Sequence, residues 1–133
     1  MSLTVIITDD DPISVYIQRT LLERCKLGTT PLTFLSGRET LAYLDTHYRP
    51  DHQYLIFMDI NMPDMTGWEL LGIINARGYT GLHVAMVSSS IDSRDQEKSK
   101  SYEQVIGYFE KPIDRSGLQK IGKVEGLEAF FPA

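Results

Sequence analysis

The chain has 133 residues, of which 42% are apolar, and its formal net charge at pH 7 is -5. This length suits one compact domain over residues 1–133, and the apolar fraction excludes a disordered chain. The acidic balance, with no basic run, argues against direct nucleic-acid or membrane partners. No stretch approaches the ~20 apolar residues of a membrane span, no secretion signal opens the chain, and the lone Cys25 cannot form an internal disulfide, so we expect a cytoplasmic protein.

Five short apolar runs predict strands. In chain order they are Leu3–Thr8, Leu32–Leu35, Tyr54–Met58, Leu82–Val87 and Ile106–Phe109. The first, third and fourth runs are almost continuously apolar, which is typical of parallel strands buried on both faces.

Helical patterns separate these runs. After the first run, Ile13, Ile17 and Leu21 recur every four residues and predict the apolar stripe of a helix that Asp11 caps and Gly28 ends. Further helices are predicted over 38–47 with Leu41 and Leu44 inward, over 67–76 with Leu70, Leu71 and Ile74 inward and Gly78 as the stop, and over 92–103 as an exposed helix.

The segment after residue 113 is atypical for a last helix. Gly117, Gly122 and Gly126 each cost about 1 kcal/mol relative to Ala inside a helix, so we expect a short or broken helix over part of 114–133. Phe130 and Phe131 follow, and we expect them to pack on the domain or on a partner, because burial of each is worth roughly 1.5–3 kcal/mol.

The resulting order, βαβαβαβαβα, predicts an α/β fold. Five parallel strands with helices on both faces suit a flavodoxin-like doubly wound sheet. In such sheets the ligand site lies outside the carboxyl ends of the strands.

Polar residues follow the predicted strands at these ends. Strand by strand, they are Asp9, Asp10 and Asp11; Asp59 and Asn61; Ser88, Ser89 and Ser90; and Lys111 with Pro112. Carboxylates brought together need a cation, and oxygen ligands without thiolate or imidazole favour Mg²⁺, for which Mn²⁺ could substitute. A carboxylate can also accept a phosphoryl group whose oxygens a lysine and a hydroxyl then hold.

These elements resemble the receiver domains of bacterial two-component response regulators. The matching pieces are Ile6-Ile7-Thr8-Asp9-Asp10-Asp11-Pro12, Met58-Asp59-Ile60-Asn61-Met62-Pro63 with Gly67, Met86-Val87-Ser88, and Tyr108-Phe109-Glu110-Lys111-Pro112. They span a core of residues 3–113, and four elements in the right order are a far more specific signal than one acidic pair. The resemblance implies strand order 2-1-3-4-5.

The resemblance also implies roles for the acidic residues. Asp59 corresponds to the phospho-acceptor and, with it, to a metal ligand. Asp10 corresponds to the direct magnesium ligand, Asp9 to an acidic partner acting through water, and Asn61 to a backbone carbonyl ligand. The phosphoryl group would come from a phosphohistidine on a sensor histidine kinase or a histidine phosphotransfer protein, and the switched output would be affinity for an unknown protein target.

Three further positions match the family. Lys111 would pair with the phosphoryl group, and its bond to Pro112 is typically cis in the family. Ser88 occupies the hydroxyl switch position and Tyr108 the aromatic one. Thr8 and Ser89 depart from the usual aliphatic residue and alanine.

Other interpretations remain open at each position. The acidic run could only cap a helix, Asp59 could be a loop carboxylate, Ser88–Ser90 a turn and Tyr108 edge-strand packing. Asp64 is interpreted as a solvated turn residue, and Trp68 with the methionines as packing. For the whole chain the alternatives are an Asp-nucleophile phosphatase, which would need an acid where Asn61 stands, and a degenerate scaffold. We expect a non-enzymatic receiver that only phosphorylates and slowly dephosphorylates itself.

Overall fold

The computed structural model describes residues 2–25, 29–90 and 92–131. The strands are β1 (Leu3–Thr8), β2 (Leu32–Phe34), β3 (Gln53–Asp59), β4 (Leu82–Ser88) and β5 (Val105–Glu110). The helices are α1 (Pro12–Arg24), α2 (Gly37–His47), α3 (Gly67–Ala76), α4 (Ser93–Ser99) and α5 (Arg115–Ile121), and a 3-10 turn (Glu128–Phe130) follows. The predicted strands are therefore correct to within one residue at each end.

The strands form one parallel sheet in the order β2-β1-β3-β4-β5. The doubly wound fold and the strand order are confirmed. Since all strands run the same way, the residues that follow β1, β3, β4 and β5 meet at one edge of the sheet.

Alternating residues of the central strands pack into two separate hydrophobic cores, one on each face of the sheet. Val5, Ile7, Phe57 and Val87 point toward α1 and α5. Ile6, Ile56, Met58, Met86 and their neighbours face the other side, where α2 and α3 contribute Leu44, Leu70, Leu71 and Ile74. Burial on both sides explains why these strands are nearly all apolar.

The predicted stripe of α1 is wrong at Ile13 and Ile17 and correct only at Leu21, which packs against the core. Ile13 and Ile17 are 71% and 46% exposed, whereas the buried face consists of Val15, Gln18 and Leu22. The prediction failed because the buried face contains a polar residue, Gln18. In the sequence, the face that carries Ile13 and Ile17 therefore looks more apolar than the face that is actually buried. Asp11 caps α1 as predicted, accepting from the Ile13 amide at 3.0 Å.

The ends of the other helices differ little from expectation. The inward residues of α2 and α3 are confirmed, and Gly78 ends α3 with a φ of 72°. Helix α4 is exposed as predicted but shorter, and none of its residues is buried. The predicted stop of α1 at Gly28 lies outside the described residues, and α1 already ends at Arg24.

The carboxyl-terminal segment covers the α1/α5 core. Helix α5 is short, with Gly117 inside and Gly122 as its cap. Leu127 is fully buried, and Phe130 and Phe131 pack against the same core, as predicted. Within the described residues, no helix is long and apolar enough to cross a membrane.

Candidate functional site

The carboxyl edge of the sheet brings together four of the predicted site residues. Asp9 and Asp10 follow β1, Asp59 ends the adjacent β3, and Lys111 follows β5. The Lys111 amide donates to the Ser88 carbonyl at 2.8 Å, which fixes the loop after β5 against the end of β4. The peptide between Lys111 and Pro112 is cis, as the resemblance implies.

Three carboxylates form an acidic cluster at this edge. Asp9, Asp10 and Asp59 each offer an oxygen, and these oxygens lie within 4.8 Å of one another. Asp9 and Asp59 are buried at 1% and 5% exposure, whereas Asp10 is exposed. Like charges at such separation repel, so the cluster is suited to a cation. Hard oxygen donors with one side open to water fit Mg²⁺, which keeps several waters.

Lys111 bridges two of these carboxylates. Its Nζ lies 2.8 Å from Asp9 Oδ2 and 3.3 Å from Asp59 Oδ1, and its side chain is only 18% exposed. Burial lowers the pKa of Lys111, but the hydrogen bonds and charges of Asp9 and Asp59 outweigh burial and raise it. Lys111 is therefore a permanent cation beside Asp59.

Asp59 lies in an environment that disfavours its charge. Burial, and then the neighbouring Asp9 carboxylate, raise the pKa of Asp59 to about 6, against the opposing pull of Lys111. At neutral pH the group is still mainly ionised, so it remains a nucleophile. Its charge is poorly solvated, which favours reaction with, or pairing to, a positively charged or electrophilic partner.

Ser88 and Asn61 complete the set of residues near the acceptor. Ser88 is buried at the end of β4, and its Oγ accepts from the Ser90 amide at 3.3 Å. Asn61 is exposed and follows Ile60, whose amide donates to the Val87 carbonyl at 3.1 Å.

Tyr108 connects the edge strand to the loop between β4 and α4. Its hydroxyl donates to the Ser90 carbonyl at 3.1 Å and accepts from the Asp92 amide at 3.2 Å. The ring is partly buried and packs against the α2/α3 core. Tyr108 is therefore more than edge-strand packing, because it holds both sides of this loop.

Several contacts near the site were not predicted from the sequence. Asp64 is exposed but accepts from the Gly37 and Arg38 amides at 3.4 and 3.1 Å, so it binds the first turn of α2, which Ser36 caps, and is not a purely solvated turn residue. Trp68 is buried in a core as predicted, and its indole also donates to Asp95 at 2.9 Å, which ties α3 to α4.

Two α1 side chains on Asp9 were also missed. Ser14 and Gln18 both donate to Asp9 Oδ2, at 2.6 and 3.1 Å. The available signal was a pair of polar residues four apart on the helix that follows the acidic run.

Comparison with known proteins assigns the family. The family model described as "Response regulator receiver domain" matches residues 5–123. The chain therefore belongs to the receiver domains of two-component response regulators, whose general function is to be phosphorylated on an aspartate.

Similar proteins support this assignment. A two-component response regulator of Arabidopsis thaliana is 28% identical over 139 residues, covering 95% of this chain and 25% of that protein. This chain spans a quarter or less of the length of the curated relatives it matches. Crystal structures of a two-component response regulator from Cytophaga hutchinsonii and of a receiver domain protein from Methanospirillum hungatei are each 25% identical, with TM-scores of 0.76. They cover 90% and 97% of this chain, and 93% and 96% of their own chains is matched.

Proposed function

We propose that Asp59 accepts a phosphoryl group from a phosphohistidine on a sensor histidine kinase or a histidine phosphotransfer protein. The observation that carries this proposal is the buried Asp59 carboxylate, paired with Lys111 and flanked by Asp9 and Asp10 at the carboxyl edge. The test is incubation with acetyl phosphate and Mg²⁺. We expect one acid-labile phosphoryl group per chain, located on Asp59 by peptide mapping, and labelling of another residue would reject the assignment.

The residues divide the work of this reaction. An Asp59 oxygen attacks phosphorus in line with the departing donor atom, and Lys111 Nζ neutralises charge on the transferred oxygens. Ser88 would hold one phosphoryl oxygen through its hydroxyl. Asp10, Asp59 and the Asn61 carbonyl would hold Mg²⁺ or Mn²⁺, with Asp9 acting through water, and the bound cation would supply positive charge in addition to that of Lys111.

The metal assignment separates two neighbouring aspartates. Asp10→Ala should weaken Mg²⁺ binding by at least about tenfold, because Asp10 belongs to the acidic cluster. Asp11→Ala is the matched control: it removes the cap of α1, costing about 1 kcal/mol of unfolding free energy, and should leave Mg²⁺ affinity nearly unchanged. Calorimetric titration with MgCl₂ and urea unfolding measure the two effects. Equal Mg²⁺ affinities in the two variants would reject the distinction.

The phosphodonor protein requires a docking surface beside Asp59. The exposed side of α1 carries Ile13, Tyr16 and Ile17, which are 71%, 70% and 46% exposed and adjacent on the helix. Helix α1 begins at Pro12, directly after the acidic residues that follow β1, so a protein bound to its exposed side can present a histidine to the carboxyl edge. We therefore propose that the α1 patch, defined as Ile13, Tyr16 and Ile17, docks the phosphohistidine-bearing protein.

The α1 patch should matter for protein donors only. Ile17→Ser should slow transfer from a phosphorylated kinase or phosphotransfer protein that labels the wild type by about five- to tenfold, as expected for loss of an interface anchor. Labelling by acetyl phosphate is the internal control and should stay within about twofold, because Ile17 lies on the exposed side of α1 and its side chain bears no polar group. A parallel loss with both donors would place the defect in the site instead of in docking.

The output of phosphorylation is proposed to pass through Ser88 and Tyr108. A phosphoryl group on Asp59 would accept the Ser88 hydroxyl proton and draw Oγ toward it, and Oγ in turn accepts from the amide of Ser90, whose carbonyl accepts from Tyr108. A charge-assisted hydrogen bond worth about 1.5–3 kcal/mol would shift such a two-state loop roughly tenfold to a hundredfold. The surface that changes would comprise α4, β5 and α5, where a downstream protein could bind.

Ser88→Ala should uncouple this response while leaving Asp59 reactive. In the alanine variant, beryllofluoride should still bind at Asp59, but amide NMR shifts around Tyr108 should be much smaller than in the wild type. Tyr108→Phe provides a second variant, which keeps the ring but lacks the bonds to Ser90 and Asp92. Wild-type shifts around residue 108 in Ser88→Ala would exclude coupling through Ser88.

We propose a non-enzymatic, cytoplasmic role over the alternatives. An Asp-nucleophile phosphatase would need an acid at Asn61, and an amide cannot transfer protons in this way. A degenerate scaffold has no need for the intact constellation of Asp10, Asp59 and Lys111. Stable phosphorylation of Asp59, without turnover of phosphate esters, separates the proposed receiver from both.

A further inference from the structure

The buried Asp9 carboxylate is bound by four donors. Ser14 Oγ donates to Asp9 Oδ2 at 2.6 Å, Gln18 Nε2 at 3.1 Å, and Lys111 Nζ lies 2.8 Å from the same oxygen. The Asp11 amide donates to Oδ1 at 3.0 Å. Two of these four donors come from the inward side of α1, so the helix orients the carboxylate directly.

Ser14 and Gln18 form one connected unit. Gln18 Nε2 also donates to Ser14 Oγ at 3.1 Å and lies 3.4 Å from the Ser14 carbonyl. Because Nε2 faces only acceptors, the orientation of this amide is determined. The Ser14 hydroxyl therefore accepts from Gln18 and directs its single proton to Asp9.

Core packing does not explain why glutamine stands at position 18. Its side chain is only 4% exposed and lies between Val15 and Leu22 on the buried face of α1. Its Oε1 accepts no hydrogen bond within the described part of the chain. Gln18 also lines a cavity of about 10 Å³ whose other lining residues are apolar. Burial of an unsatisfied carbonyl lowers stability, so an apolar residue of the same size would serve the core better.

We propose that Gln18, together with Ser14, is a positioning residue that holds Asp9 and, through Asp9, keeps Lys111 Nζ directed at Asp59. Asp9 Oδ2 is the atom common to Ser14, Gln18 and Lys111. If either α1 donor is removed, the Asp9 carboxylate can rotate about its side-chain bonds, and Lys111 loses its fixed partner. The inference rests on the proposed phosphorylation of Asp59 and adds a helix-borne support for the lysine that stabilises the transfer.

The experiment compares Gln18→Met and Ser14→Ala with the wild type. Methionine keeps the volume of glutamine but has no donor. With acetyl phosphate and saturating Mg²⁺, the maximal phosphorylation rate should fall about tenfold or more in Gln18→Met, as is usual for loss of an orienting partner. The donor concentration at half-maximal rate should stay nearly the same, and the melting temperature should be unchanged or higher. Ser14→Ala should show the same reduction in rate, and it replaces Gln18→Met as the test if the methionine variant does not fold.

A second readout does not depend on phosphorylation. The Nζ–H signal of Lys111 in ¹⁵N-edited NMR of the unphosphorylated protein should be protected from water exchange in the wild type and exchange faster in both variants. Leu22→Val is the matched control, since it loosens the same buried face of α1 without touching Asp9. It should lower the melting temperature while leaving the rate and the Lys111 signal unchanged.

The outcomes are distinguishable. Wild-type rates and wild-type Lys111 exchange in Gln18→Met and Ser14→Ala would overturn the inference, as would a rate loss in Leu22→Val equal to theirs. Failure of the wild-type chain to be labelled at Asp59 would overturn the proposed function instead. In that case the Lys111 signal alone would still show whether Gln18 and Ser14 hold Asp9.

Discussion

Asp59→Asn should abolish phosphorylation and, at the same time, make the unphosphorylated protein more stable at neutral pH. The amide is nearly isosteric with the carboxylate but is not a nucleophile, so no acid-labile phosphate should form with acetyl phosphate. The stability gain follows from the environment of Asp59, which is buried beside the Asp9 carboxylate and has a pKa raised from 3.8 to about 6. The asparagine variant has no charge at position 59, so both the cost of burying that charge and its repulsion from Asp9 are removed.

The stability gain in Asp59→Asn should depend on pH. Because the folded protein holds the proton of Asp59 more tightly than the unfolded chain, this group favours folding below about pH 4, and that contribution is lost as pH rises toward 6. In urea unfolding with EDTA, Asp59→Asn should therefore exceed the wild type by ~1–3 kcal/mol at pH 7. The two proteins should converge near pH 4, and a constant difference from pH 4 to pH 7 would contradict this account.

Magnesium provides an internal check on the same pair. A cation bound by the acidic cluster stabilises the folded state by mass action. Added Mg²⁺ should raise the unfolding free energy of the wild type more than that of Asp59→Asn, so the difference in unfolding free energy between the two proteins at pH 7 should become smaller.

Full phosphorylation of the Asp59→Asn variant would reject Asp59 as the acceptor, whatever the stability data show.

Gly67→Ala should damage both stability and phosphorylation, although Gly67 bears no chemical group. Gly67 begins α3, and its amide donates to the Ile60 carbonyl at 2.8 Å. A Cβ at this position would lie 2.6 Å from the carbonyl oxygen of Asp59 and 3.0 Å from the Met86 methyl group. Since one obstacle is backbone, the substitution must move β3 or α3, at a cost of about 1–3 kcal/mol.

The displaced atom belongs to the acceptor itself. A misplacement of about 1 Å in reacting groups can cost a hundredfold in rate, so Gly67→Ala should slow phosphorylation by acetyl phosphate by at least about tenfold.

The same helix supplies the matched control. Gly72 lies in the interior of α3, and a Cβ there meets no atom within 4 Å. Gly72→Ala should therefore raise the unfolding free energy by about 0.5–1 kcal/mol and leave the phosphorylation rate unchanged. Urea unfolding and phosphorylation kinetics on the two variants measure both effects. Equal behaviour of the two alanine variants would show that contact with the Asp59 backbone does not restrict position 67.

Much of this fold could be predicted because hydrophobic burial dominates the sequence pattern of the strands. The central strands are buried on both faces, so their apolar runs are continuous and stand out from the helices around them. The prediction failed on α1, where a buried Gln18 reverses the apparent polarity of the helix and leaves Ile13 exposed. A periodicity argument assigns faces by hydrophobicity alone, and so it cannot recognise a core position occupied for hydrogen bonding.

The candidate site was predictable to a similar depth. Strand ends of a parallel sheet lie at one edge, so the fold alone is enough to place Asp9, Asp59 and Lys111 at the same edge. What could not be predicted was which donors satisfy each carboxylate. The contact of Gln18 with Asp9 depends on the rotation of α1 about its axis, and the contact of Asp64 with the first turn of α2 depends on the path of a loop.

Helix α4 should unfold locally more easily than the rest of the molecule. None of its residues is buried, and a side-chain link to the remainder of the domain runs from Asp95 to Trp68, whose ring also stacks on Tyr102. Its amides should therefore exchange with solvent through local opening, at a free energy well below that of global unfolding. Such opening exposes little apolar surface, so urea should promote it only weakly. A partner that remodels α4 would lose little of its binding energy in doing so.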